Sequence, residues 1–286
     1  MDNINLISAY SDLGVHICGC ENGPLELTKD INIKNYIIKK DNIEKSLDNN
    51  DLRKNEIYIN KFTKKVFDTT LNILENNKIP LLIGGDHSCV MGNALASQKY
   101  NKNIGIIWID AHIDYNTFDT TITGNIHGLP LAAINGICED LTHFITTNYI
   151  NPKNTVVVGY RAKEDNCDLE MNNIKKMGVT VFTTDDIKIE GASNIMKKAI
   201  DIASHNTNGI HISLDLDVID PILSPGVSIP EENGINEKEI NEIVDEVLNQ
   251  KELIKSIDLV EFNPSFDKDN KTKNIALNIL NKIVKE

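Results

Sequence analysis

The sequence is short of basic residues. Lys and Arg number 29 against 42 Asp and Glu, a formal net charge of −13, with a pI near 5.0. Nucleic acid and anionic membrane surfaces both want a basic footprint, so neither is expected as a partner. Long apolar runs are missing too. No segment approaches 18 uninterrupted apolar residues, which excludes a spanning helix. The opening MDNINLISAY has no basic region ahead of an apolar stretch, so no export signal is expected. Cysteine is sparse and odd in number: Cys18, Cys20, Cys89, Cys138 and Cys167 in a chain of 286 residues, long enough to fold without crosslinks. That pattern predicts a reducing, cytoplasmic setting. Cys18 and Cys20 lack the paired spacing of a zinc site and read as structural. No Pro/Gly/Ser-rich linker and no internal repeat divides the chain, which predicts one domain over residues 1–286.

What is present is an alternation of short apolar runs with longer amphipathic stretches, the pattern of strands alternating with helices. Strands are predicted near residues 4–9, 36–38, 80–83, 104–109, 155–158, 179–182, 209–214 and 256–260. Their β-branched content suits strands covered on both faces. Helical spacing runs over 60–76, 91–99, 168–177, 193–204, 237–249 and 273–285. In the fifth of these, Ile240, Ile243, Val244 and Val247 form an i, i+3, i+4, i+7 stripe with charged residues between them. The fold class is therefore α/β, on a mainly parallel sheet, with the active site expected at the C-terminal ends of the strands. Polar segments 41–60 and 267–274 read as loops or wet helix faces, the first long enough for local mobility.

Carboxylates and imidazoles cluster where apolar strands end. In IIWIDAHIDYNT, residues 106–117, Asp110 and His112 stand two apart and so point to one face, while Asp114 can turn into the same cavity as the strand opens into a loop. An isolated histidine is commonly a hydrogen-bonded core residue, but the acid–His–acid repeat points to ligation. HISLDLDVIDP, residues 211–221, repeats the spacing with Asp215 and Asp217. Buried carboxylates are costly unless paired or metal-bound, so a pair leaving an apolar strand is more telling than acids on a wet helix. LLIGGDHSCVMG, residues 81–92, adds His87 in a glycine turn after another strand. Four carboxylates and two imidazoles make a hard O/N donor set, better matched to Mn²⁺ than to a soft metal, with Zn²⁺ the second choice. Two such ions, about 3.5–4 Å apart, can share carboxylates and hold a bridging hydroxide for attack on an electrophilic carbon. The residues thus predict metal-assisted hydrolysis.

These segments resemble the ureohydrolase family of arginases, agmatinases and related manganese amidinohydrolases. The likeness is carried by GGDHS at 84–88, DAHID at 110–114, GNIHG at 124–128, SLDLDVIDP at 213–221 and SIDLVEFNP at 256–264, with GCENGP at 19–24 similar to the family's early Gly-Pro loop. The resemblance implies a three-layer α/β/α domain with an eight-stranded sheet, two Mn²⁺ ions per subunit, and a homo-oligomer, trimer or hexamer. It implies His87, Asp110, Asp114 and Asp215 around one ion, and Asp110, His112, Asp215 and Asp217 around the other, with Asp110 and Asp215 bridging. Glu261, just past a strand, suits a charge-assisted bond to a planar guanidinium, and the resemblance supports it as the substrate anchor. His127, in GNIHG, suits proton transfer near neutral pH and would protonate the departing amine. Asp114 would also orient the nucleophile.

Within the family the resemblance is greatest to arginases, whose substrate loop holds an amide and a hydroxyl for an α-carboxylate. The matching positions are Asn116 and Thr123, and Asn125 matches a further position of that motif. The implied reaction is hydrolysis of a small guanidinium substrate, L-arginine, to L-ornithine and urea, the alternative being agmatine or formimidoylglutamate. Two features depart from the family. Where its members carry GTP, this chain has Ser228, Ile229 and Pro230. Ile229 removes a hydroxyl expected near the guanidinium-binding Glu, and a lost buried hydrogen bond costs roughly 1–3 kcal/mol. In RAKEDNCDLE, residues 161–170, an apparent insertion leaves Glu164, Asp165 and Asp168 as matches for the acid that meets an α-amino group, with Asp165 preferred.

Overall fold

The computed structural model describes residues 3–48, 50–162 and 167–285. Each predicted apolar run forms a strand: β1 (Ile4–Tyr10), β2 (Asn35–Lys39), β3 (Ile79–Gly84), β4 (Gly105–Ile109), β5 (Thr155–Tyr160), β6 (Thr180–Thr183), β7 (Ile210–Asp215) and β8 (Ile254–Val260). They pair in parallel in one sheet of order β2-β1-β3-β8-β7-β4-β5-β6. Parallel strands need crossovers, and helices supply them: α1 (Gly23–Thr28), α2 (Glu56–Glu75), α3 (Met91–Asn101), α4 (Pro130–Ile134), α5 (Cys167–Met177), α6 (Thr184–Glu190), α7 (Ala192–Ser204), α8 (Glu237–Leu248) and α9 (Lys271–Lys285). The short helices α1, α4 and α6 fall outside the predicted set because fewer than about two turns leave no periodicity to read.

Side chains alternate across the sheet, so its central strands feed two cores. Ile107, Ile109, Ile212, Leu214, Ile257 and Leu259 face the layer of α1 and α6–α9. Leu82, Ile106, Trp108 and Val260 face the layer of α2–α5. The result is a three-layer α/β/α arrangement. The stripe on α8 packs as its spacing predicts, with Ile240, Ile243, Val244 and Val247 buried. Its start is set by a reciprocal cap: the Asn236 side chain accepts from Glu239 N at 3.1 Å, and Glu239 Oε2 accepts from Asn236 N at 2.8 Å.

Strands β3, β8, β7 and β4 are neighbours at the centre of the sheet, although β7 and β8 come last in the chain. The chain passes from β3 to β4 across the gap that β7 and β8 later fill, and that reversal opens a crevice at the strands' C-terminal ends. Close backbone approach narrows its floor. A Cβ at Gly85 would lie 1.9 Å from Ser11 O, so only glycine lets the turn after β3 abut the end of β1.

Segment 41–60, read from composition as polar loop or wet helix face, is loop over the described residues up to 55, and side-chain bonds tie that loop to the sheet's end. The Lys45 side chain is largely covered and donates to Asp12 Oδ2, Asp12 O, Val15 O and Ile17 O at 2.9–3.1 Å. Asn55, left-handed at φ 63°, exchanges hydrogen bonds with Ser46 and donates to Leu13 O. Helix α2 begins directly after it, at Glu56 rather than near residue 60. No helix among the described residues is long and apolar enough to cross a membrane.

Candidate metal centre

The turn after β3 carries His87. Asp86 caps that turn, accepting from Ser88 N at 2.9 Å and from Gly14 N at 3.0 Å. His87 is thereby held over the sheet, its ring stacked on Trp108 with centroids 3.9 Å apart and planes within 7°. Its Nε2 lies 2.9 Å from Ser213 Oγ, an acceptor for the Nε2–H, which turns the Nδ1 lone pair toward the strand ends. There Nδ1 sits 3.0, 3.2 and 3.1 Å from carboxylate oxygens of Asp110, Asp114 and Asp215. It makes no hydrogen bond with any of them.

The other ligand candidates come from the ends of β4 and β7. Asp110 Oδ2 accepts from Trp108 Nε1 at 2.9 Å, and its Oδ1 accepts from His112 N at 2.6 Å. His112 Nδ1 stands 2.9 Å from Asp217 Oδ2 and 3.4 Å from Asp110 Oδ1. Asp215 Oδ1 accepts from Asp217 N at 2.8 Å, and Asp217 Oδ1 accepts from Ala111 N at 3.2 Å. Two groups emerge with ligand atoms mutually within 4.8 Å: His87, Asp110 and Asp215, and Asp110, His112 and Asp217. Asp110 belongs to both. Asp114 adds to the first through His87, from a left-handed backbone at φ 52°. Such strain concentrates where structure over-determines a functional residue.

The charges explain what this arrangement lacks. Burial, then the charge of Asp110, pushes the Asp114 carboxyl up to about 7. Asp215 is driven up by burial and then by Asp217 and Asp110. Acids packed this closely call for a compensating cation. An imidazole lone pair aimed among carboxylate oxygens, without a hydrogen bond, fits a hard divalent ion with O/N ligands. His87, Asp110, His112, Asp114, Asp215 and Asp217 are all brought into this one cluster.

Beside it, Glu261 follows β8 in a left-handed conformation at φ 65°. Its Oε1 accepts from His87 N at 2.9 Å and meets His127 Nδ1 at 3.2 Å. Its Oε2 is buried with no hydrogen-bond partner. Burial would lower the His127 pKa, but the hydrogen bond and charge of Glu261 outweigh it and raise the imidazole above its ordinary value.

A small cavity next to the cluster is lined by His112, Asp114, Asn116, His127, Glu170 and Ile229, among others. Asn116 is thus brought to the site, its Oδ1 accepting from Thr120 Oγ1 at 3.0 Å. Thr123 and Asn125 form the adjoining turn. Thr123 Oγ1 accepts from Asn125 N at 3.2 Å, and Asn125 Nδ2 lies 2.8 Å from His16 Nδ1. Ile229 faces the cavity where the family's hydroxyl is expected.

The acids of residues 161–170 fall in different places. Glu164 and Asp165 lie outside the described residues, and Asp168 is exposed on α5. Glu170, which that reading passed over, is buried against the cavity with Oε1 accepting from Tyr115 N at 2.7 Å. Its signal was available: Glu170 stands four residues before Ile174 and seven before Met177, on the apolar stripe of its helix.

Comparison with known proteins agrees with this geometry. The model of the Arginase family matches residues 2–285. An arginase of Bacillus subtilis strain 168 is 35% identical over 284 residues, spanning 98% of this chain and 88% of that protein. A solved arginase structure from Bacillus subtilis superposes with TM-score 0.88 at 30% identity, covering 100% of this chain and 99% of that one. An Entamoeba histolytica arginase solved with L-ornithine gives TM-score 0.89 at 27% identity, covering 98% and 97%.

Proposed function

The chain belongs to the arginase family and is a ureohydrolase, and from that premise we propose that it hydrolyses L-arginine to L-ornithine and urea, as one metallohydrolase domain with two Mn²⁺ ions. The observation that carries the reading is Glu261. One of its oxygens is tied to His87 N and His127, while the other is buried, unpartnered and beside the acid–His cluster. A buried carboxylate with a spare oxygen is an acceptor for a cationic, planar donor.

His87, Asp110, Asp114 and Asp215 would hold one ion and Asp110, His112, Asp215 and Asp217 the other. Ions bound there supply an activated water at neutral pH. The chain's own residues do the rest. Glu261 orients the guanidinium carbon toward the cluster, and the Asp114 carboxylate orients the attacking water by accepting its hydrogen bond. His127, held by Glu261 and kept basic by it, delivers a proton to the departing amine. Asn116 lines the cavity and, with Thr123 and Asn125 farther along the same loop, would offer amides and a hydroxyl to an α-carboxylate, which agmatine lacks. Asp165 stays a candidate to meet an α-amino group, and the burial of Glu170 against the cavity supports it as a second. A homo-oligomer, trimer or hexamer, follows from the family resemblance. A cytoplasmic setting agrees with the free thiols of Cys18, Cys20, Cys89 and Cys138.

Ile229 in the cavity favours one second reading, a different guanidino or formimino substrate. The Mn²⁺-loaded protein should be offered arginine, agmatine, guanidinobutyrate and formimidoylglutamate, with products identified. Ornithine and urea should form fastest. Faster agmatine turnover would overturn the carboxylate argument, and no turnover of any of them would overturn the reading altogether.

A further inference from the structure

Residues 51–54, at the entry to α2, clamp the loop that carries Asn116, Thr123 and Asn125. Lys54 is only 3% exposed, and its Nζ donates to Thr123 O at 2.6 Å. Gly124 has φ 66°, and a Cβ there would lie 2.7 Å from both Asp51 O and Leu52 Cα, so the two segments touch backbone to backbone. The Arg53 guanidinium lies 4.0 Å over the Phe118 ring on the loop's other arm, and its Nη2 donates to Asp140 at 2.6 Å. Acids accompany the bases on this rim: Arg53 pairs with Glu56 and Asp140, and Lys45 with Asp12. Burial first, then the charges of His127, Lys54 and Lys45, lowers the pKa of His16, whose ring meets Asn125.

A buried ammonium is costly, because burial disfavours its charged form and the long side chain loses its rotamer freedom. The charges of Asp48 and Asp51 offset part of that cost. The floor of the site gathers Asp110, Asp114, Asp215, Asp217 and Glu261, which attract a guanidinium and repel a carboxylate. We propose that Lys54 is a positioning residue for substrate selection: by gripping the Thr123 carbonyl it holds the 116–125 loop in the shape that receives the substrate's carboxylate end. The inference rests on the reading of L-arginine as substrate.

The test compares Mn²⁺-loaded wild type with Lys54→Met, which removes charge and donor, and Lys54→Gln, which keeps a donor. The readouts are kcat/KM for arginine and for agmatine, calorimetric binding of L-ornithine, metal content, and amide exchange across 116–125. For Lys54→Met the arginine-to-agmatine ratio should fall about 10-fold or more, mainly through KM for arginine. L-ornithine binding should weaken in parallel, exchange in the loop should quicken, and metal content should hold. Lys54→Gln should lose about 3-fold by the same measure. A ratio unchanged in whichever variant folds, or equal losses for both substrates, overturns the inference while leaving arginine as the substrate. A wild type that prefers agmatine overturns the substrate reading, and the inference falls with it.

Discussion

At the ends of β3, β4 and β7, two imidazoles stand among four carboxylates, with Glu261 beside them after β8. Beside the 116–125 loop, segment 41–55 buries Lys54, largely covers the side chain of Lys45 and sets Arg53 over an aromatic ring. The floor is acidic and held by strands whose register is fixed by the sheet. The rim mixes Lys45, Arg53 and Lys54 with Asp41, Glu44, Asp48 and Asp51, and it is held by side-chain bonds to backbone carbonyls. The contrast teaches that backbone register sets the acid–His cluster, whereas long side chains bonded to distant carbonyls set the loop beside it. It also teaches that the two surfaces fail in different ways, the floor by losing metal and the rim by losing shape.

The floor should break most completely at Asp110, shared by both ligand groups. Asp110→Asn should lower bound metal, measured by elemental analysis after dialysis, and cut turnover by ~10³ or more. Full metal content in that variant would contradict its shared role. Glu261→Gln should separate anchoring from metal binding, keeping the ions while kcat/KM for arginine falls by ~10²–10³. A matching loss of metal would instead make Glu261 part of the metal's support. Ser213→Ala frees the Nε2 side of His87 and should weaken metal affinity by ~10–100-fold, read by chelator competition.

The rim should respond as a scaffold. Lys45→Met removes one of two lysines from buried Asp12 and leaves Lys40 in place. The expected cost is roughly 2 kcal/mol in urea unfolding, below the full loss of a buried pair, with metal content unaltered. Loss of metal there would erase the distinction between the two regions. The smallest effect is expected at Ile229, between them. Ile229→Thr should restore a hydroxyl to the cavity and raise kcat/KM for arginine about 5-fold. A decrease would show that the apolar side chain suits the substrate as it stands.

The strand-end ligands were legible because a strand's two-residue period puts Asp110 with His112, and Asp215 with Asp217, on a common side, and because acids following buried apolar runs need a reason to be there. The strands themselves were legible because a parallel sheet covered on both faces demands continuous apolar runs. Glu170 was missed because a residue-by-residue match across an insertion weighed the nearest acids and ignored the helix face. Segment 41–60 is polar loop and then helix, as read, but its composition carries no sign that Lys45, Lys54 and Asn55 find backbone partners far along the chain.

By itself, the sequence determined the α/β architecture, the metal-binding residue types and the location of the site at strand ends. All of these depend on periodicity and on the cost of burying charge, which act over a few residues. Tertiary structure alone decided the strand order that seats β8 and β7 between β3 and β4, and so brings Glu261 to His87 across 174 positions. It alone set Lys54 against Thr123, 69 positions away. Such contacts depend on where the chain returns, which no local pattern encodes.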